Sequence, residues 1–115
     1  MSKEKVTYGE KADHFIETAK IGAYKMLCKT YRFEFAEAPD DNIPDIFMIT
    51  SLMMNQTHAK CQFQVTEPLH DNIVIEARYN DDEDKIRYNI FEWKSYGDLV
   101  QDDVSDFVIS GFSIQ

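Results

Sequence analysis

Glycine and proline are scarce in this chain of 115 residues. Four Gly and three Pro leave little room for linkers or low-complexity segments, and no internal repeat is found. The glycines, Gly9, Gly22, Gly97 and Gly111, all stand alone, so there is no Gly-rich loop to cradle a phosphate. The two cysteines, Cys28 and Cys61, are too few and too far apart for the disulfide framework of a small secreted domain. The longest apolar run, residues 46–49 and 52–54, is broken by Thr50 and Ser51 and is far too short to cross a bilayer. No apolar leader region follows the charged start, Met1 to Lys5. Together these absences point to a reducing cytosol, which makes the Asn55-Gln56-Thr57 sequon incidental.

Positive charge is the next scarcity. The formal charge is −9, and it is unevenly placed. Residues 1–38 hold seven Lys/Arg against six Asp/Glu, whereas residues 39–115 hold five against fifteen. A nucleic-acid binder needs the opposite sign over its contact face, and an anionic membrane surface is disfavoured for the same reason. Basic proteins are the natural partners of such a surface.

Hydrophobic residues make up 43% of the chain and aromatics 13%, enough for one folded domain over residues 1–115. Thr7 and Glu10 have capping-box spacing. Beyond them Ala12, Phe15, Ile16, Ala19, Ala23, Met26, Leu27 and Thr30 recur every three or four residues. This spacing predicts a helix over about 8–30 with one apolar stripe laid on a core. A second, narrower strip of Ile21, Tyr24, Cys28 and Tyr31 runs along its other side. It is either covered by the Met-rich segment that follows or is a homodimer contact. Residues 31–35 alternate polar and apolar and read equally as a strand or as more helix. Asn42, Pro44 and Asp45 then resemble a helix start. With Ile46, Phe47, Ile49, Leu52, Met53 and Met54 apolar on nearly every side, a second short helix is expected, with a buried strand at 45–51 as the alternative.

After residue 58 the period becomes two. Ala59, Cys61, Phe63 and Val65 alternate with polar residues, as do Ile73, Ile75, Ala77 and Tyr79, and then Ile86, Tyr88 and Ile90. These are half-buried strands, with Arg78 and Arg87 outward near Glu76. Phe91 and Trp93 break the pattern by falling on the solvated side. Residues 95–105 read as a short helix, and a closing strand follows. The expected fold is α+β: a long N-terminal helix and a second short helix on an antiparallel sheet of about four strands, 59–66, 72–79, 85–93 and 106–114.

Chemistry finds little foothold. His58 and Cys61 are three apart, but no paired Cys-x-x-Cys or second close His accompanies them, so no metal site is assigned. His70 and Asp71 are adjacent in a turn, which points them apart rather than pairing them beside a nucleophile. The acidic run Asp81, Asp82, Glu83 and Asp84 lacks the spaced ligands and central Gly of a calcium loop. No catalytic residue and no cofactor is expected.

Asp40 and Asp41 with Asp45, then Asp81 to Asp84, then Asp98, Asp102, Asp103 and Asp106 form three acidic groups. Phe91, Trp93 and Tyr96 lie near the last of them and supply aromatic anchors. If the groups converge, they present a negative array to a basic groove. The expected function is a small acidic interaction protein that binds, and in one version inhibits, a basic partner such as a nuclease, mimicking nucleic acid. Two other readings stay open. One is a ligand-binding or enzymatic domain with a pocket near Met26, Tyr79 and Tyr88; the other is a homodimeric secretion or assembly chaperone.

Overall fold

The computed structural model describes residues 8–31, 34–55, 57–80, 82–83, 85–93, 99–101 and 107–110. One helix, α1 (Tyr8–Thr30), lies on an antiparallel sheet. The strands are β1 (Phe47–Met54), β2 (His58–Val65), β3 (Ile73–Asn80), β4 (Lys85–Trp93), β5 (Leu99–Gln101) and β6 (Phe107–Ser110), and a 3-10 turn (Pro68–His70) links β2 to β3. The order is β1-β2-β3-β4-β5, and β6 also pairs with β4. The far edge of β4 is thus shared: Phe91–Trp93 pairs with β5 and Lys85–Tyr88 with β6.

The helix buries the stripe that its spacing predicts. Phe15, Ala19, Ala23 and Leu27 are fully buried and Met26 nearly so; each large side chain among them contributes about 1.5–3 kcal/mol of transfer free energy. Glu10 in the first turn and Lys29 in the last suit the helix dipole. Opposite the stripe, the inward positions of β2, β3 and β4 (Cys61, Phe63, Ile75, Tyr79, Ile86, Tyr88 and Ile90 among them) are equally buried. Alternation set the register here, because a slip of one residue turns a whole apolar set to solvent. Thr7 of the expected capping box lies outside the described residues.

Two expectations about elements are corrected. The second helix at residues 42–54 is instead a strand, β1, and the only short helical element described is the 3-10 turn. Ile46 N–H bonds to the carbonyl of Pro44, so the Pro that resembled a helix start makes a turn into a strand. The alternative of a strand at 45–51 holds as to element from Phe47 on, but the strand is not buried, because most of its residues are exposed. Its two-sided apolar character is that of an edge strand, and a bulge between Ile49 and Ser51 breaks the period of two that would have revealed it. The short helix expected at 95–105 is likewise replaced where it is described, since Leu99–Gln101 is β5. The four expected strands are present, and β1 and β5 bring the sheet to six. Between Thr30 and β1 the described chain forms neither helix nor strand.

No helix among the described residues is long and apolar enough to cross a membrane.

Candidate functional site

The helix covers one face of the sheet, and the register defines what stands on the other. Lys60 pairs with Arg78 and Arg78 with Arg87, so three cations stand in one row across three neighbouring strands. Like charges directly opposite repel. The row is held by Glu76, which sits beside it and is only 9% exposed. Its carboxylate lies 3.4 Å from Lys60 Nζ and 3.2 Å from Arg78 Nε and accepts a bond from Asn89 Nδ2. Arg87 turns instead to Glu83 in the β3–β4 hairpin, with Nε at 2.7 Å. With Met53, His58 and Lys85 the row borders a shallow cleft of about 430 Å³. Sequence periodicity placed Arg78 and Arg87 outward; it did not show that Lys60 joins them, because that depends on register.

The first acidic group and the described part of the second stand at opposite ends of the strands. Ile46 accepts a bond from Thr66 N–H, and Trp93 N–H donates to Asn72, so the loop carrying Asp40, Asp41 and Asp45, the 66–72 connection and the end of β4 share one end of the sheet. Asp82 and Glu83 occupy the opposite end, eight residues of strand or about 25 Å away. Asp40 is engaged by Lys25 at 3.0 Å and Glu83 by Arg87. Asp81, Asp84, Tyr96, Asp98, Asp102, Asp103 and Asp106 lie outside the described residues. Segments 34–46 and 66–72 hold five and two acids respectively and no lysine or arginine. At the Trp93 end these acids are met by Lys25 at Asp40, and at the hairpin end Glu83 is met by Arg87, so both ends mix the two signs. Trp93 itself is 46% exposed on the face opposite the helix, with Phe91 half-buried two residues before it.

The second strip of α1 is covered within the chain, by the segment just after the helix rather than by the Met-rich one. Tyr24 is 4% exposed and its hydroxyl donates to the Ala36 carbonyl, which Cys28 Sγ also approaches. Phe35 packs edge-on against Tyr24 and Tyr31, and Tyr31 Oη donates to Glu92 at 3.0 Å. Ile21 is partly buried. Burial raises the pKa of both Tyr24 and Cys28.

The histidines and Cys61, to which the sequence assigned no metal or catalytic role, are dispersed. His58 is exposed and hydrogen-bonds Thr57 Oγ1, whereas Cys61 faces the core and burial pushes its thiol up to about 12. His70 is buried between Glu67 and Glu34, a clamp no sequence motif announced. Met26, Tyr79 and Tyr88 are at most 2% exposed and belong to the core cluster between helix and sheet. Comparison with protein-family models, with curated proteins and with solved structures finds no match.

Proposed function

We propose that this is a small acidic binding protein whose target is a basic protein, engaged at the Trp93 end of the sheet, and that it acts by binding rather than by catalysis. One observation carries the reading: an exposed tryptophan on the face opposite the helix lies at the end of the sheet where segments 34–46 and 66–72 carry acids and no lysine or arginine. An aromatic anchor near a surplus of acids combines binding energy with electrostatic steering. The nucleic-acid mimic is narrowed accordingly. Asp82 and Glu83 stand at the far end, so the binding face is the group of Asp40, Asp41 and Asp45 with Glu67 and Asp71, and inhibition follows if it occupies the partner's basic groove.

The chain has one tryptophan, which makes it its own reporter. Titrating a panel of basic nucleic-acid-binding proteins, monitored by the emission of Trp93 with tryptophan-free partner variants, should give saturable changes for a member of the panel. Affinity should fall as salt rises, because exposed charges are screened beyond about 10 Å at 0.1 M. Binding that is indifferent to salt, or that survives Asp41→Asn with Asp45→Asn unchanged, removes the electrostatic basis of the proposal.

A further inference from the structure

Strand β1 ends the sheet, and its outer edge pairs with no described strand. Proteins usually blunt such an edge with charge, proline or a very short strand. β1 has eight residues and no Lys, Arg, Asp, Glu or Pro among them. Large apolar side chains stand out from both its faces: Met48 is 52% exposed, Ile49 39%, Leu52 40% and Met53 58%. No charged residue occurs between Asp45 and Lys60. In a chain of net charge −9, this is a strip where two copies meet without opposing like charges.

The strand is also complementary to itself. Phe47 and Ile49 pair with the inward residues Val65 and Phe63, and Leu52 and Met54 with the inward residues Cys61 and Ala59. Met48 and Met53 pair with the outward Gln64 and Lys60. Thr50 is the extra residue of the bulge, and there the alternation reverses phase. Read from the Thr50–Ser51 centre, the two halves of the strand therefore mirror each other in face and in chemistry: Thr50 with Ser51, Ile49 with Leu52, Met48 with Met53, Phe47 with Met54.

We infer that β1 is the interface between two copies of this chain, paired antiparallel about a two-fold axis between Thr50 and Ser51. A two-fold interface requires that residue i meet j and that j meet i, and the mirrored halves satisfy this. On the helix side, Ile49 of one copy meets Leu52 of the other, twice. On the opposite face, Met48 meets Met53, twice. A shift of one residue in either direction sets inward side chains against outward ones. The bulge, elsewhere a device that blunts an edge, is what makes the halves match. Eight residues of edge bury less than the ~800 Å² per partner of a standard interface, so the dimer is a micromolar one and responds to concentration.

The test is sedimentation velocity on the full chain from low to high micromolar concentration. A shift from monomer to dimer is expected, and Leu52→Lys should weaken it by about tenfold or more with the circular dichroism of the fold unchanged. A monomer throughout, or a ladder of higher species, overturns the inference. Register is read in a Cys28→Ser background by oxidising Met48→Cys and Met53→Cys variants separately and as a mixture. Disulfide-linked dimers should form in the mixture and not in either variant alone, because only the mixed pair is opposed. Equal linkage in the single variants overturns the register, and this readout stands even if Leu52→Lys fails to fold. No basic partner enters the measurement, so its outcome is independent of the Trp93 reading.

Discussion

Glu34 Oε2 lies 3.1 Å from Nε2 of His70, joining the segment just after the helix to the turn between β2 and β3. The other ring nitrogen, Nδ1, lies 2.5 Å from Glu67, and the ring packs against Phe35 with centroids 4.7 Å apart. Both nitrogens thus face carboxylates, an arrangement that favours the doubly protonated ring. The clamp closes the Trp93 end of the sheet, close to the loop that carries Asp40 and Asp41.

The first prediction is a pH dependence of stability. The hydrogen bond to Glu67 is the main cause that raises the His70 pKa above its ordinary 6.5, against the opposing effect of burial. The same bond lowers Glu67 below its ordinary 4.5. A raised histidine stabilises the fold below its unfolded value, and that contribution is lost as pH rises through the raised folded value. A lowered carboxylate stabilises above its unfolded value and loses its contribution as pH falls through the lowered one. Thermal melts should therefore show the clamp at full strength between about pH 5 and 6.5 and weakening above neutrality. His70→Phe, which keeps a ring against Phe35 and Tyr31, should flatten the neutral-to-alkaline part of the profile. An unchanged profile would assign that dependence to other groups.

The second prediction concerns Glu76. Replacing it with Gln leaves Lys60 and Arg78 side by side with Arg87 and without the carboxylate that holds them. Loss of a buried carboxylate that holds two cations costs more than loss of a surface pair, and about 1–3 kcal/mol is expected here because both cations stay partly solvated. Since the damage is repulsion among like charges, added salt should recover part of it. Urea melts of Glu76→Gln at low and high salt measure both effects, and a salt-independent loss would point to packing instead.

These two clusters mark where the sequence stopped being readable. The helix stripe and strands β2 to β4 followed from apolar period, since a half-buried element must alternate to bury one face. The outward placement of Trp93 followed from the same count. Strand β1 was hidden because an edge strand that is apolar on both faces, and has a bulge at Thr50, shows no period. His70 was hidden because its partner Glu34 lies on the other side of two strands in the chain. The separation of Asp40, Asp41 and Asp45 from Asp82 and Glu83 depended on which loops share an end of the sheet, which is a property of strand pairing and not of composition.

A third prediction uses the thiols as probes. Cys61 is fully buried with its pKa at about 12, so it should resist a thiol-reactive disulfide reagent until the protein unfolds. Cys28 is partly exposed, although burial raises its pKa. Native protein should therefore release about one equivalent slowly and two in denaturant. Two equivalents under native conditions would mean that the sheet opens on the timescale of labelling.

The last prediction separates the cover of the helix from its core. Phe35 seals the second strip, with its ring 6.2 Å from those of Tyr24 and Tyr31, yet it lies on a segment outside the sheet. Phe35→Ala should cost about 3 kcal/mol, the low end for a buried phenylalanine, because the 34–38 segment can collapse into part of the cavity. Removing the ring also takes packing from His70, so the clamp to Glu34 should loosen along with the cover of Cys28. The expected signature is faster labelling of Cys28 while Cys61 stays protected, measured on the same sample. Phe15→Ala, cut from the centre of the stripe, should instead lower global stability and speed both thiols together. If Phe35→Ala also exposes Cys61, the segment after the helix belongs to the cooperative core, and the second strip of α1 is as much a part of the fold as the first.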